Sequence, residues 1–145
     1  MPYATSVELT SMGFAKEQFG SPADDFTTYL TSLLDEIELL VKDIVGDEYD
    51  DATTDSIAEM RLRYAEKYFA AGELWRRIEI VERRNNNLSR SDGGQETVSS
   101  RPLRNAERYE DIAWDYLSYF GISRETYRGG ISVGFSESGP FAAVS

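Results

Sequence analysis

A chain of 145 residues that contains no cysteine and no histidine lacks disulfides, thiolate metal sites, the commonest general base and the usual zinc ligand together. Its 26 acidic residues against 15 basic ones give a formal net charge of -11, which argues against binding nucleic acid through a broad basic surface. The length suits one domain; no apolar run reaches the roughly 18 residues of a membrane span, and Met1-Pro2-Tyr3-Ala4-Thr5 carries no secretory-signal pattern.

Thr5-x-x-Glu8 has the form of a capping box and predicts a short helix from Ser6 to about Met12, stopped by Gly13. Val7, Leu9, Met12 and Phe14 would pack it as a lid. Ser21-Pro22, followed by Asp24 and Asp25, is a start signal for a second helix. Its apolar positions Phe26, Leu30, Leu33, Ile37, Leu40 and Ile44 alternate spacings of four and three, and Gly46 ends it. Asp47 to Asp55 is an acidic connector. It lacks the spacing and glycine of a calcium loop, so it reads as an exposed turn with Thr54 or Asp55 capping the next helix.

Asp55 to Arg84 predicts one long helix of about 45 Å with two apolar stripes. One comprises Ile57, Met60, Tyr64, Tyr68, Ala71, Trp75 and Ile78; the other Leu62, Ala65, Phe69, Gly72 and Ile80. The second helix would cover Ile57, Tyr64 and Trp75, and the last helix part of Leu62, Phe69 and Ile80. The long helix outruns the last one, which leaves Arg76, Arg77, Ile80 and Arg84 for a neighbouring subunit. Asn85 to Pro102 has loop composition, with three asparagines, Gly93-Gly94 and four serines. The last helix runs from Leu103 or Arg104 to Phe120, with Tyr109, Ile112, Ala113, Tyr116, Leu117 and Phe120 on one face and Trp114 to one side. Ile122 to Ser145 is glycine-rich, with Ile131, Val133, Phe135 and Phe141 between small polar residues. It reads either as a frayed terminus or as an arm that orders on a partner, and the apolar residues favour the arm.

These elements predict an all-α fold: a short N-terminal helix and three main helices in a bundle, 1–121, with a loop insert at 85–102 and an extended arm at 122–145. Catalytic chemistry is not expected. Gly130-Ile131-Ser132-Val133-Gly134 matches the nucleophile-elbow pattern, but no histidine is present to take the serine proton. No phosphate loop or dinucleotide fingerprint occurs, and a helical-bundle carboxylate metal site would need Glu-x-x-His. No cofactor or metal is therefore expected. The charge is unevenly spread, acidic from Asp24 to Asp55 and mixed but arginine-rich from Arg61 to Arg90. Two readings fit this pattern: ion pairs within one bundle, or a head-to-tail contact between copies, of the kind that closes into rings.

Four segments carry a family resemblance. They are Tyr3-Ala4-Thr5-Ser6-Val7-Glu8-Leu9, the acidic-seamed Leu33-Leu34-Asp35-Glu36-Ile37-Glu38-Leu39-Leu40, Ala58 to Phe69 with its aromatic pair, and Glu107 to Leu117 with its Arg-Tyr start. In this layout, over residues 3 to 120, the chain resembles the head–tail connector (adaptor) proteins of tailed bacteriophages. The insert at Asn85–Pro102 is longer than that pattern. The resemblance implies a structural virion protein, assembled in the host cytoplasm and placed in the neck of the particle. It implies a ring, usually dodecameric, beneath the portal protein and in contact with other tail or neck proteins. DNA would pass through it without sequence-specific binding and no membrane would be involved. The arm residues Ile131, Val133, Phe135 and Phe141 would reach the portal. The alternative is a small helical binding or regulatory protein that docks a partner through the same arm.

Overall fold

The second helix forms where its period demands, from Phe26 to Val45 (α2), with Leu30, Leu33, Leu34, Ile37, Val41, Ile44 and Val45 all buried. The computed structural model describes residues 1–20, 25–89 and 101–127, and among them the fold is all-α, with no strand. Asp25 caps α2, its carboxylate accepting from the Thr28 N–H at 3.0 Å and from the Thr28 hydroxyl at 3.0 Å. The cap thus falls later than the Ser21-Pro22 signal, which lies outside the described residues together with Asp24. Gly46, at φ 70°, turns the chain out of the helix.

Those hydrogen bonds from Thr28 hold the Asp25 carboxyl below the usual carboxylate range. A depressed folded value means the cap's contribution is present at neutral pH and is lost as pH falls through it. Asp25→Ala should lower the thermal midpoint at pH 7 and have little effect near pH 2; equal losses at both values would contradict the capping role.

Before α2 stand a short helix, Ser6–Ser11 (α1), and a 3-10 turn, Lys16–Phe19. The capping box expected at Thr5 is not made: its side chain forms no cap bond, and Glu8 Oε1 is buried without a partner. Leu9, Phe14 and Phe19 are buried in the core and Met12 packs against it, so this segment is a lid, but Val7, expected to pack with them, is 67% exposed. The Phe14 ring meets Trp75 edge-on at 5.8 Å, and Phe19 lies 5.6 Å from Tyr29.

The acidic connector contains a one-turn helix, Glu48–Asp51 (α3), and is not simply exposed. Its lone aromatic, Tyr49, is 2% exposed and turns the segment onto the body. The long helix, Ile57–Ser89 (α4), is capped by Ser56 rather than Thr54 or Asp55. The Ser56 hydroxyl accepts from the Glu59 N–H at 3.0 Å, and the Glu59 carboxylate accepts from the Asp55 N–H at 2.7 Å. Asp55 sits at φ 62°, a left-handed conformation that asparagine and aspartate tolerate.

α4 continues five residues beyond Arg84, and the last helix, Arg101–Leu117 (α5), starts earlier than its composition suggests. Both ends of the expected loop are thus helical, and its middle, 90–100, lies outside the described residues. A 3-10 turn, Ser118–Phe120, and Gly121 at φ 78° close α5. α4 and α5 run antiparallel, since Tyr64 meets Tyr116, Phe69 meets Trp114 and Arg76 meets Glu110. Gly72 sets their closeness: a Cβ there would lie 2.8 Å from Glu110 Cγ and 3.2 Å from the Ala106 carbonyl. Ala65, Ala106, Ala113 and Leu117 complete this seam, all fully buried.

Coverage of the two stripes on α4 differs from the expected division. Tyr64 meets Tyr116 of α5, and Trp75 meets Phe14 of the lid, neighbours that the expected division did not assign to them. Ile57 and Ile80 remain 59% and 52% exposed. The physical reason is that the lid takes up part of the α4 surface that a three-helix division assigns to α2.

Residues 122–127 fold back onto the bundle. The Tyr127 hydroxyl donates to Asp43 at 2.6 Å, its ring lies 5.8 Å from Trp114, and Arg124 pairs with Asp111 at 2.9 Å. Trp114 is therefore peripheral core, wedged between Phe69 and Tyr127.

Candidate functional site

Leu62, Glu66, Ala70 and Leu74 are spaced by four along α4 and share one buried row, so an acid stands in an apolar line. Glu66 is fully buried. Its Oε1 accepts from the N–H groups of Tyr3 at 2.7 Å and Ala4 at 2.9 Å. Its Oε2 accepts from the Tyr49 hydroxyl. Tyr3 in turn donates its hydroxyl to the Tyr49 carbonyl at 2.7 Å, and the two rings lie 4.9 Å apart. One carboxylate thus ties the N-terminal segment and α3 to α4.

No basic side chain forms an ion pair with Glu66 among the described residues. Nearby Glu38, also buried, is held by the Met1 ammonium at 2.6 Å and by Lys42 at 3.5 Å. Burial pushes the Glu66 carboxyl up to about 7; the three donors pull it down but only in part. The Tyr49 hydroxyl is pushed far above its ordinary value by burial and by its bond to that carboxylate. A carboxyl with a near-neutral pKa has the property of a general acid or base. Glu66, however, is sealed from solvent with all its contacts internal, so its role is to lock the lid.

The residues expected at a subunit contact lie on one side of α4 but differ in state. Arg76 is committed within the chain by a two-pronged bond to Glu110, Nε and Nη2 each at 2.8 Å. Arg77 bonds Glu73 at 2.9 Å and the Tyr29 hydroxyl at 3.1 Å. Ile80 and Arg84 are exposed. The arm residues Ile131, Val133, Phe135 and Phe141 lie outside the described residues.

A stripe of tyrosines along the α4–α5 groove is not evident from the sequence alone. Tyr64 and Tyr116 lie 5.2 Å apart; Tyr68 stacks on Tyr116 at 6.0 Å and 6°, and on Tyr109 at 5.7 Å and 14°. Cations lie over these rings: the Arg61 guanidinium over Tyr116 and Tyr119 at 5.6 and 5.4 Å, and the Lys67 ammonium over Tyr64 and Tyr68 at 5.6 and 5.4 Å. The sequence signal was Arg61, Tyr64, Lys67 and Tyr68 at helical spacing, with no neighbouring acid on the same face.

A cleft of about 470 Å³ opens between α5 and the 122–127 turn, lined by Phe69, Trp114 and Tyr127 and by Arg76, Glu110 and Arg124 among others. Its arginines are already paired with Glu110 and Asp111, so it offers no spare charge of either sign from them. Among the described residues no group of three or more acids could hold a metal ion, and no helix is long and apolar enough to cross a membrane. No family model, curated protein or solved structure matches the chain.

Proposed function

We propose that this chain is a structural subunit of a ring, serving as a head–tail connector in the neck of a tailed bacteriophage. The observation that carries the reading is the placement of its uncovered apolar side chains. Leu39 on α2 is 68% exposed, while Ile57, Met60 and Tyr119, on α4 and the turn after α5, are 59%, 39% and 51% exposed. A two-fold dimer needs one self-complementary patch, whereas a head-to-tail ring needs two different ones on each copy. The net charge of -11 suits a wall past which DNA slides without sticking.

The test is the mass of the purified chain in solution, across concentration, alone and mixed with a phage portal ring. Association into one defined multi-copy species, in either condition, is the expected result. A chain that stays single at every concentration and does not join the portal contradicts the reading. So does a single copy bound per partner, which is the behaviour of a small docking or regulatory protein.

A further inference from the structure

The tyrosine stripe and the acidic side of α2 are unlike surfaces on different sides of the molecule. Glu66 marks the side of α4 that faces the lid and α3; Tyr64 and Tyr68, two residues to either side of it, lie about half a helical turn away. Tyr64, Tyr68, Tyr109 and Tyr116 are all partly exposed, and the exposed Ile57, Met60 and Tyr119 extend the stripe at one end. Arg61 and Lys67 form no ion pair with any carboxylate among the described residues. Two cations held over tyrosine rings but paired with no carboxylate among the described residues, in a protein of net charge -11, have the make-up of an interface centre awaiting an acidic partner.

The chain itself presents that partner. On α2 the exposed residues Ser32, Asp35, Glu36, Leu39 and Asp43 share one face. Leu39 stands in the middle as the exposed apolar residue of the helix. Lys42 does not neutralise this face, being turned to Glu38 at 3.5 Å and Asp50 at 3.9 Å. Arg77 reaches Glu36 at only 3.8 Å, its nearer bonds going to Glu73 and Tyr29.

We propose that the tyrosine stripe, with Arg61 and Lys67, receives the acidic outer face of α2 from a second copy of this chain, with Leu39 seated among the rings. The contact rests on the ring reading and locates its subunit interface. It differs from the contact expected at Arg76 and Arg77, whose guanidinium groups are spoken for within the chain. Because the two faces are different, each copy gives one and receives the other, and the contact propagates in one direction.

Charge exchange on the full chain tests it. Arg61→Glu with Lys67→Glu makes both faces acidic; Asp35→Lys with Glu36→Lys makes both basic. Each double variant alone should associate at least about tenfold more weakly than the unaltered chain, while an equimolar mixture should associate as the unaltered chain does. Leu39→Glu, at an exposed position that leaves the core untouched, should weaken association as well, with the helical circular dichroism signal unchanged. Variants that associate as tightly as the unaltered chain overturn this contact and leave the ring reading standing. Loss in both double variants without recovery on mixing overturns it too. If the unaltered chain stays single both alone and with a portal ring, the ring reading fails, and this contact with it. If Arg61→Glu with Lys67→Glu keeps its association but loses affinity for a single-stranded oligonucleotide, the stripe is a base-stacking surface, and the proposal is wrong.

Discussion

Glu66→Ala should destabilise the fold by about 3–5 kcal/mol near pH 5 and by less at pH 8. The substitution leaves the Tyr3 and Ala4 N–H groups and the Tyr49 hydroxyl without their acceptor, and each buried orphan costs roughly 1–3 kcal/mol. It also opens a void where the side chain was fully buried. The pH dependence comes from the proton. Burial raises the folded carboxyl from an ordinary 4.5 to about 7, so the folded state binds a proton that the unfolded chain has already released. Stability linked to this group is full below pH 4.5, falls as pH rises through about 7, and is level above that. A shift of that size corresponds to about 3 kcal/mol at most.

Glu66→Gln isolates the effect. Its amide oxygen can accept from Tyr3 and Ala4, and its amide nitrogen can donate to the Tyr49 oxygen, with no charge to bury. The glutamine variant should therefore lose this part of the decline between pH 5 and pH 8, and should exceed the unaltered chain at pH 8. Urea unfolding followed by circular dichroism at pH 5, 6, 7 and 8 measures both. A glutamine variant with the same pH slope as the unaltered chain would show that Glu66 does not carry the linkage.

Gly72→Val should break the α4–α5 seam and cost more than about 3 kcal/mol. A side chain there collides with the middle of Glu110, which cannot swing away while Arg76 holds both its oxygens, and then with the Ala106 backbone. Gly72→Ala is the finer probe. Alanine gains about 1 kcal/mol over glycine in a helix interior, yet its Cβ would stand 2.8 Å from Glu110 Cγ. The contact should win, with a net loss of about 1–2 kcal/mol. Trp114 packs edge-on against Phe69 in the same seam, 5.6 Å away, so its fluorescence should shift in both variants. An alanine variant more stable than the unaltered chain would mean that α5 sits farther from α4 than this structure places it.

Periodicity made the framework legible. The seam from Phe26 to Ile44 became α2, and the two stripes placed α4 as the helix with neighbours on more than one side. The errors were of two physical kinds. Helix ends are poorly marked by local composition because a helix extends cooperatively; once α4 is formed, Asn85 to Ser89 add a hydrogen bond each at little further cost. The second kind concerned polar groups whose fate depends on distant partners. Glu66 reads as one more surface acid until Tyr3 and Tyr49, 63 and 17 residues away, are brought to it. Its place in the row Leu62, Glu66, Ala70, Leu74 was the available clue. Arg76 and Arg77 read as free for a neighbour for the same reason, since their partners Glu110 and Tyr29 lie on other helices. The tyrosine stripe stayed hidden because half its rings come from α5, and only the antiparallel register brings Tyr109 and Tyr116 beside Tyr68.

Electron-microscopic class averages of the full chain bound to a portal ring test the central claim most directly. The expected result is a closed ring of copies coaxial with the portal, each meeting the next through unlike faces. Isolated copies scattered on the portal, two-fold pairs, or a chain that neither binds the portal nor forms a ring alone would contradict it.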